Sequence, residues 1–304
     1  MTIPTEPGIY RDVPNGDYDE IPAVRRSFAW DLFKQSPKHA RWIQQHGKTS
    51  KALSLGTMVH LAMLQPEEFP RRYAVMPAFE LDAKNLTKKK DKVTGEFIAP
   101  TPENAKKTGY YKDRVAEFEA LCGRDGIEIV PQSDYDTAYH IGHNIRNHDD
   151  MQRFFQRGSR NEAVSVWRDE KTGLLCKARY DCLVEGDFPT AVDVKTTSDG
   201  SPWGFLRSVR KWGYYFQTAW YLAGLRAHSY VNPNFLFAVA ETFGHYEVTV
   251  YELEPDTLRL GAKHCRAALD TIAECERTGV WPGYGQGIVP LQLSENELKE
   301  LDDA

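Results

Sequence analysis

Between Asn161 and Thr197 the chain reads NEAVSVWRDEKTGLLCKARYDCLVEGDFPTAVDVKTT, and no other stretch restricts the fold as strongly. β-Branched and aromatic residues alternate with polar ones in three runs. The runs are separated by DEKTG and EGDFP, whose Gly, Pro and Asp favour turns. Short turns join neighbours that run antiparallel, so three consecutive antiparallel strands are predicted. Farther on, FLRSVRKWGYYFQTAWYLAGL reads as one long amphipathic helix and FLFAVAE and YEVTVYEL as two more strands, with a helix expected from about Pro255 to Thr278. Helices flanking a central mixed β-sheet make an α/β or α+β domain.

The second and third strands carry the chemistry. If their hairpin turns around Asp187, Asp181 lies opposite Asp193. Lys195 shares the face of Asp193, because side chains on a strand alternate with a period of two. Two opposed carboxylates repel unless a cation sits between them. Hard oxygen ligands suit Mg2+ or Mn2+, which retain waters and bind phosphate oxygens. A metal lowers the pKa of bound water, and a lysine nearby can orient that water and stabilise charge developing on phosphorus. Phosphodiester hydrolysis is the chemistry expected of such a patch, although a solvated hairpin with scattered charges would contain the same three residues.

Upstream, residues 1–22 are rich in Pro, Gly and Asp and predict an irregular arm. VRRSFAWDLFKQSPKHARWIQQ reads as two short helices broken before Pro37. In KALSLGTMVHLAMLQPEEF, Leu55, Val59, Ala62 and Met63 recur at helical spacing and Pro66 ends the helix. Gly56 and His60, four apart, share a face of it, with the glycine permitting close approach to a neighbour. Gln217 and Tyr221 share a face in the same way. A structural histidine and a helix with two polar tips are the plainer readings of these pairs. Residues 80–110 are polar and Lys-rich and read as a long loop, solvated or folded over a ligand. Helices are expected from about Tyr111 to Leu121 and from about Asp134 to Phe155. With no clear linker or repeat, residues 23–304 read as one domain: a helical part over 23–158, the sheet and its helices over 159–280, and a tail over 281–304.

A chain that is 41% hydrophobic and 12% aromatic can bury a real core. It has no apolar run of the roughly 20 residues a membrane span needs, and MTIPTEPGIY lacks the features of a secretory signal, so a cytoplasmic protein without a membrane partner is expected. Five cysteines without a CxxC pair support neither a disulfide framework nor a zinc knuckle and are read as buried thiols. The net charge of −5 excludes a chain that is basic throughout, yet a local basic channel can still hold nucleic acid. Arg207, Arg210 and Lys211 beside Trp203 and Trp212 either line such a channel or form the solvated face of a helix.

Taken in order, Gly56 to His60, Asp181, Asp193 with Lys195, and Gln217 to Tyr221 resemble the GxxxH, D, DxK and QxxxY motifs of the RecB-like group in the PD-(D/E)xK nuclease superfamily. The stretches PGIYRDVPNGDYDEIPAVRRS, LSLGTMVHLAMLQPEEFPRRYAVMP, EAVSVWRDEKTGLLCKARYD and VDVKTTSDGSPWGFLRSVRKWGYYFQTAWY resemble, more narrowly, the exonuclease VIII (RecE) type of phage and prophage recombination systems. This resemblance covers about residues 6 to 225. It implies a restriction-endonuclease-like core and a magnesium-dependent exonuclease, with Mn2+ as a substitute and two ions per site, that degrades one strand of linear duplex DNA from 5′ to 3′. The 3′ strand left behind would pass to a single-strand annealing protein. The resemblance makes His60, Asp181, Asp193 and the Val194 carbonyl metal ligands and has Lys195 position the attacking water. Glu162 would bind a second ion or orient a ligand, and Gln217 and Tyr221 would touch DNA or brace the site. Arg25, Arg26, Ser27 and Ser36 become candidates for phosphate contact. No iron–sulfur cluster is expected, since Cys265 and Cys275 lack the spacing. Processive relatives form rings, so a homo-oligomeric ring is a further implication. The alternatives are a DNA-binding recombination-assembly protein that keeps the fold without the activity, and a structure-specific endonuclease of the same superfamily.

Overall fold

The computed structural model describes residues 3–47, 53–79, 93–95, 106, 109–156, 159–186, 188–285, 287–288 and 290–292. Most of the Lys-rich stretch read as a loop lies outside them. The three predicted strands are β5 (Ser159–Arg168), β6 (Leu175–Val184) and β7 (Thr190–Thr197), and they pair antiparallel in that order. β8 (Asn234–Glu241) joins β7 in parallel, and β9 (Val248–Glu252) returns antiparallel at that edge. The parallel step requires a crossover, which the helices between β7 and β8 supply.

The opposite edge corrects the expectation of an irregular arm. Gly8–Tyr10 forms a strand, β1, antiparallel to β5, and Asn15–Glu20 forms a short helix, α1. Val24–Arg25 forms β2, which pairs in parallel with β6 at Cys176 and Lys177. Lys177, buried beneath α1, donates to the carbonyls of Tyr18, Asp19 and Ile21, and so ties the arm to the sheet.

Helices follow with identifiable end signals. α2 (Arg26–Lys34) is followed by α3 (Pro37–His46), where Ser36 is the N-cap and accepts from the His39 amide while Pro37 occupies the first turn. α4 (Leu53–Leu64) is the predicted GxxxH helix. α5 (Phe69–Arg72) leads into a small parallel pair, β3 (Tyr73–Val75) with β4 (Glu128–Val130), and α6 (Gly109–Asp125) lies between them in sequence. The helix expected from Asp134 to Phe155 is two, α7 (Gln132–Asn147) and α8 (Asp149–Gln156). The long amphipathic helix after β7 is also two, α9 (Pro202–Trp212) and α10 (Tyr214–Ala227). Gly213 separates them with φ of 68°, a left-handed conformation that ends one helix and starts the next. α11 (Pro255–Thr278) has the predicted limits.

These helices cover both faces of the sheet. On one face α2, α9, α10 and α11 pack on Ala191, Phe235, Phe237 and Val239; on the other α4 and α7 pack on Val192, Val194, Ala238 and Ala240. The expectation that Gly56 lets α4 approach a neighbour is not met, since a Cβ there would touch nothing within 4 Å among the described residues. The close approach belongs to Gly142 on α7, where a Cβ would stand 2.8 Å from Ala62. All five cysteines are buried thiols.

Candidate active site

Along one edge of β6, β2 pairs as far as Lys177 and β7 pairs only from Cys182. The intervening residues 178–181 lie where the neighbouring strands part, and the functional side chains gather at this split. The predicted register is correct: the pairs Leu183↔Ala191 and Cys182↔Val192 bring Asp181 and Asp193 next in line. Their side chains diverge, however. Tyr180 packs with the α10 layer and Cys182 with the α4 layer, although residues two apart on a regular strand share a face. The turnover at Asp181 is matched on β5, where Glu162 adopts φ of 52°, outside the range that L-residues favour. Both distortions fall on the same missing rung, between Asn161↔Cys182 and Ala163↔Tyr180.

Asp181 accepts a hydrogen bond from the Val194 amide at 2.8 Å, and its Oδ2 lies 3.4 Å from His60 Nε2. His60 Nε2 is also 3.4 Å from the Val194 carbonyl oxygen. Imidazole, carboxylate and carbonyl thus meet from three elements, α4, β6 and β7. Asp193, 3% exposed, turns toward α10, where it accepts from Lys195 Nζ and from Gln217 Nε2. Gln217 therefore holds a carboxylate, one of the two roles that the family resemblance implied. Tyr221 accepts on its backbone carbonyl from the Tyr180 hydroxyl at 2.9 Å, and its ring packs on those of Tyr180 and Phe235 behind the site.

Electrostatics follow from this placement. Burial pushes the Asp181 carboxyl up, Asp193 adds to the rise, and His60, Lys195 and the Val194 amide act against it. Burial disfavours the Lys195 ammonium, but Asp193 and Asp181 outweigh it and hold its pKa above the ordinary lysine value. Lys195 is therefore a fixed cation at neutral pH. A further neighbour is Tyr214, whose ring centroid lies 5.0 Å from Lys195 Nζ.

Two cavities flank the split. One, of about 440 Å3, is lined by His60, Asp181, Glu162 and Arg179. The other, of about 450 Å3, opens at Lys195 and runs along α9. Arg179 and Tyr214 were not singled out from sequence, though Arg179 stands two residues before Asp181 on its strand and Tyr214 three before Gln217 on its helix.

The proposed phosphate contacts of α2 and α3 are not brought to this site as free groups. Arg26 is tucked under the α9–α10 elbow and donates at 2.6 Å to the carbonyls of Trp212 and Gly213, while burial lowers its pKa. Ser36, 4% exposed, is engaged as the α3 cap. Arg25 pairs with Asp19 at 3.0 Å. Ser27 is exposed at the start of α2.

Donor chemistry fits a hard divalent cation: His60 Nε2, Asp181 Oδ2 and the Val194 carbonyl stand within reach of one another, with a second carboxylate beside them. Among the described residues no three His, Cys, Asp or Glu side chains form a ready metal cluster, and Asp193 is held by Lys195 and Gln217. Ligation by Asp193 would use the lone pairs that those two bonds leave on its oxygens.

The overall arrangement has counterparts among solved structures. A crystal structure described as a putative exonuclease from Eubacterium rectale superposes with a TM-score of 0.55, covering 94% of this chain and 96% of that one at 12% identity, a likeness of fold. The structure of SSO0001 covers 54% of this chain and 69% of its own at 15% identity, with a TM-score of 0.29 that carries no argument. No curated protein gives a significant match. Residues 32–289 match the family described as PDDEXK-like domain of unknown function (DUF3799), which accounts for the restriction-endonuclease-like core. This chain, with its split β6 edge and DxK strand, belongs to that PDDEXK-like family.

Proposed function

We propose that the protein is a divalent-metal-dependent deoxyribonuclease that digests one strand of linear duplex DNA, 5′ to 3′, and leaves a 3′ single strand for an annealing partner. The observation that carries the reading is the meeting of His60, Asp181 and the Val194 carbonyl beside the Asp193–Lys195 pair. A divalent ion such as Mg2+, held by His60, Asp181, Asp193 and the Val194 carbonyl, would supply the hydroxide-forming and charge-neutralising chemistry. The chain's own contribution is positional and electrostatic. Lys195, kept protonated by its two carboxylate neighbours, orients a water and offsets negative charge developing on the phosphate. Gln217 fixes Asp193, and the Val194 amide fixes Asp181. Glu162 lines the cavity shared by His60 and Asp181 and would orient a second ion or a water. End-directed digestion, polarity, the recombination role and a ring assembly rest on the RecE-type sequence resemblance.

Incubation with linear and covalently closed duplex DNA in Mg2+ tests this directly. Digestion of the linear form alone, releasing label from a 5′ end before a 3′ end, is the expected result. Equal attack on both forms would indicate an endonuclease. The engagement of Asp193 by Lys195 and Gln217 favours a second reading, a DNA-binding protein with the fold but no activity. Salt-sensitive DNA binding with no hydrolysis in either Mg2+ or Mn2+ would establish that instead.

A further inference from the structure

The cavity that opens at Lys195 continues outward as a groove beside α9, past Ser208 and Lys211 to Trp212. The outer surface of α9 is unusual for a helix of this chain. Trp203 is 71% exposed and Trp212 51% exposed, although large aromatic rings normally find cover. Between them stand Arg207, Arg210 and Lys211, and the helix PWGFLRSVRKW contains no acidic residue. The whole chain carries −5, so this patch is a local reversal of sign. One acid does reach the groove: Asp199 accepts from Ser201 at 2.6 Å and pairs with Arg207 at 2.7 Å. It neutralises Arg207 and leaves Lys211 in the groove without an acidic partner among the described residues. Lys211 Nζ instead lies 4.6 Å from the Trp212 ring centroid.

We propose that the groove beside α9 forms a track for a single DNA strand leading to or from Lys195, with Lys211 on a phosphate and a base stacked on Trp212. A cation beside an exposed indole matches the chemistry of single strands, because stacking on a ring face needs an unpaired base. A duplex offers phosphates but no free base faces. The groove's continuity with Lys195 makes the strand at the reacting centre the occupant. This inference rests on the nuclease reading and deepens it.

The test is the binding of a fluorescent oligothymidylate to the full-length protein in EDTA, where nothing is cleaved, alongside digestion of linear duplex in Mg2+. Wild type is expected to bind the single strand with quenching of tryptophan emission. Trp212→Ala should weaken binding by about tenfold, and Trp212→Phe should restore most of it. Lys211→Ala should flatten the dependence of affinity on salt by about 0.7, the share of one phosphate that is no longer neutralised. Unchanged affinity in the tryptophan variant overturns the track. So does a loss of binding accompanied by a changed sedimentation coefficient, which would make the face an interface between copies of the chain. A wild type that digests duplex yet ignores the oligomer overturns the track alone; one that neither digests nor binds DNA overturns the nuclease reading with it.

Discussion

The carboxylate of Asp181 is anchored by the backbone of Val194, whose amide it accepts at 2.8 Å while the carbonyl of the same residue faces His60 at 3.4 Å. One residue on the DxK strand thus positions both the first carboxylate and the imidazole. Regular pairing of β6 and β7 has ended at Cys182 and Val192, so this side-chain bond continues the connection where the backbone ladder stops. The functional atoms sit where the sheet opens because an opened edge frees both the carbonyl and the space beside it.

Asp193 and Lys195 form a buried pair, and removing one partner strands the other. Lys195→Met should lower digestion by about a hundredfold or more, in line with loss of a preorganised charge. It should also cost about 3–5 kcal/mol of stability in metal-free protein, because Asp193 would remain buried beside Asp181 without its cation. Combining it with Asp193→Asn should recover much of that stability and none of the activity. Urea unfolding of the four proteins in EDTA measures the non-additivity; additive costs would show that the pair is not coupled.

Arg26 is expected to act on the fold and not on phosphate. Its two bonds to the carbonyls at the end of α9 should make Arg26→Ala cost about 1–3 kcal/mol. Gly213→Ala should be at least as harmful, since φ of 68° disfavours a side chain and the added Cβ would fall 2.6 Å from the Trp30 ring. Thermal unfolding reads both. DNA affinity of the folded Arg26→Ala protein, measured at a temperature where it is native, should equal that of wild type; a loss there would restore the phosphate-contact assignment.

How far the sequence led is visible in these same residues. The three strands, the hairpin register and the shared face of Asp193 and Lys195 were legible because alternation and turn chemistry are local signals, whereas Gln217 joined them only through the family resemblance. The facing of Asp181 was not, because period two assumes a regular strand and nothing in ARYDCLV announces a turnover. The break at Gly213 was hidden by apolar spacing that continues across it. Strand β1 is three residues long and draws its stability from pairing with β5, which composition does not report. Ser36 illustrates a different gap: a serine before proline at a helix start is an N-cap signal, and the family analogy drew attention to phosphate instead.

Away from the site, Asp169 joins the β5–β6 turn to α11. It accepts from Arg266 at 3.1 and 2.9 Å and from the Thr172 amide and hydroxyl at 2.9 and 2.6 Å. Burial works to raise its pKa, but these donors prevail and hold it below the ordinary 3.8. A carboxyl depressed on folding contributes stability that is present above its unfolded pKa and is lost as pH falls through the folded value. Asp169→Asn should cost about 2 kcal/mol near neutrality. The difference from wild type should shrink as pH is lowered from about 6 to about 3, which denaturant titrations at both ends would reveal; a constant difference would mean that packing, not charge, holds the turn.

Glu162 joins strain to chemistry at a single position. Its φ of 52° is costly for a residue with a Cβ, by about 1–2 kcal/mol, and glycine adopts it freely. Comparison of Glu162→Gly with Glu162→Ala isolates the backbone term, because both remove the same carboxylate. Glycine should be the more stable of the two, by about 1 kcal/mol after allowance for the extra freedom of its unfolded chain. If the carboxylate serves the reaction, both variants and Glu162→Gln should lose digestion together, with the glutamine protein closest to wild type in stability. Equal stability of the glycine and alanine proteins would show that the kink is relaxed in solution. Full digestion by Glu162→Gln would confine the residue to shaping the strand, and the turnover at Asp181 would then be what the strained backbone across from it serves to maintain.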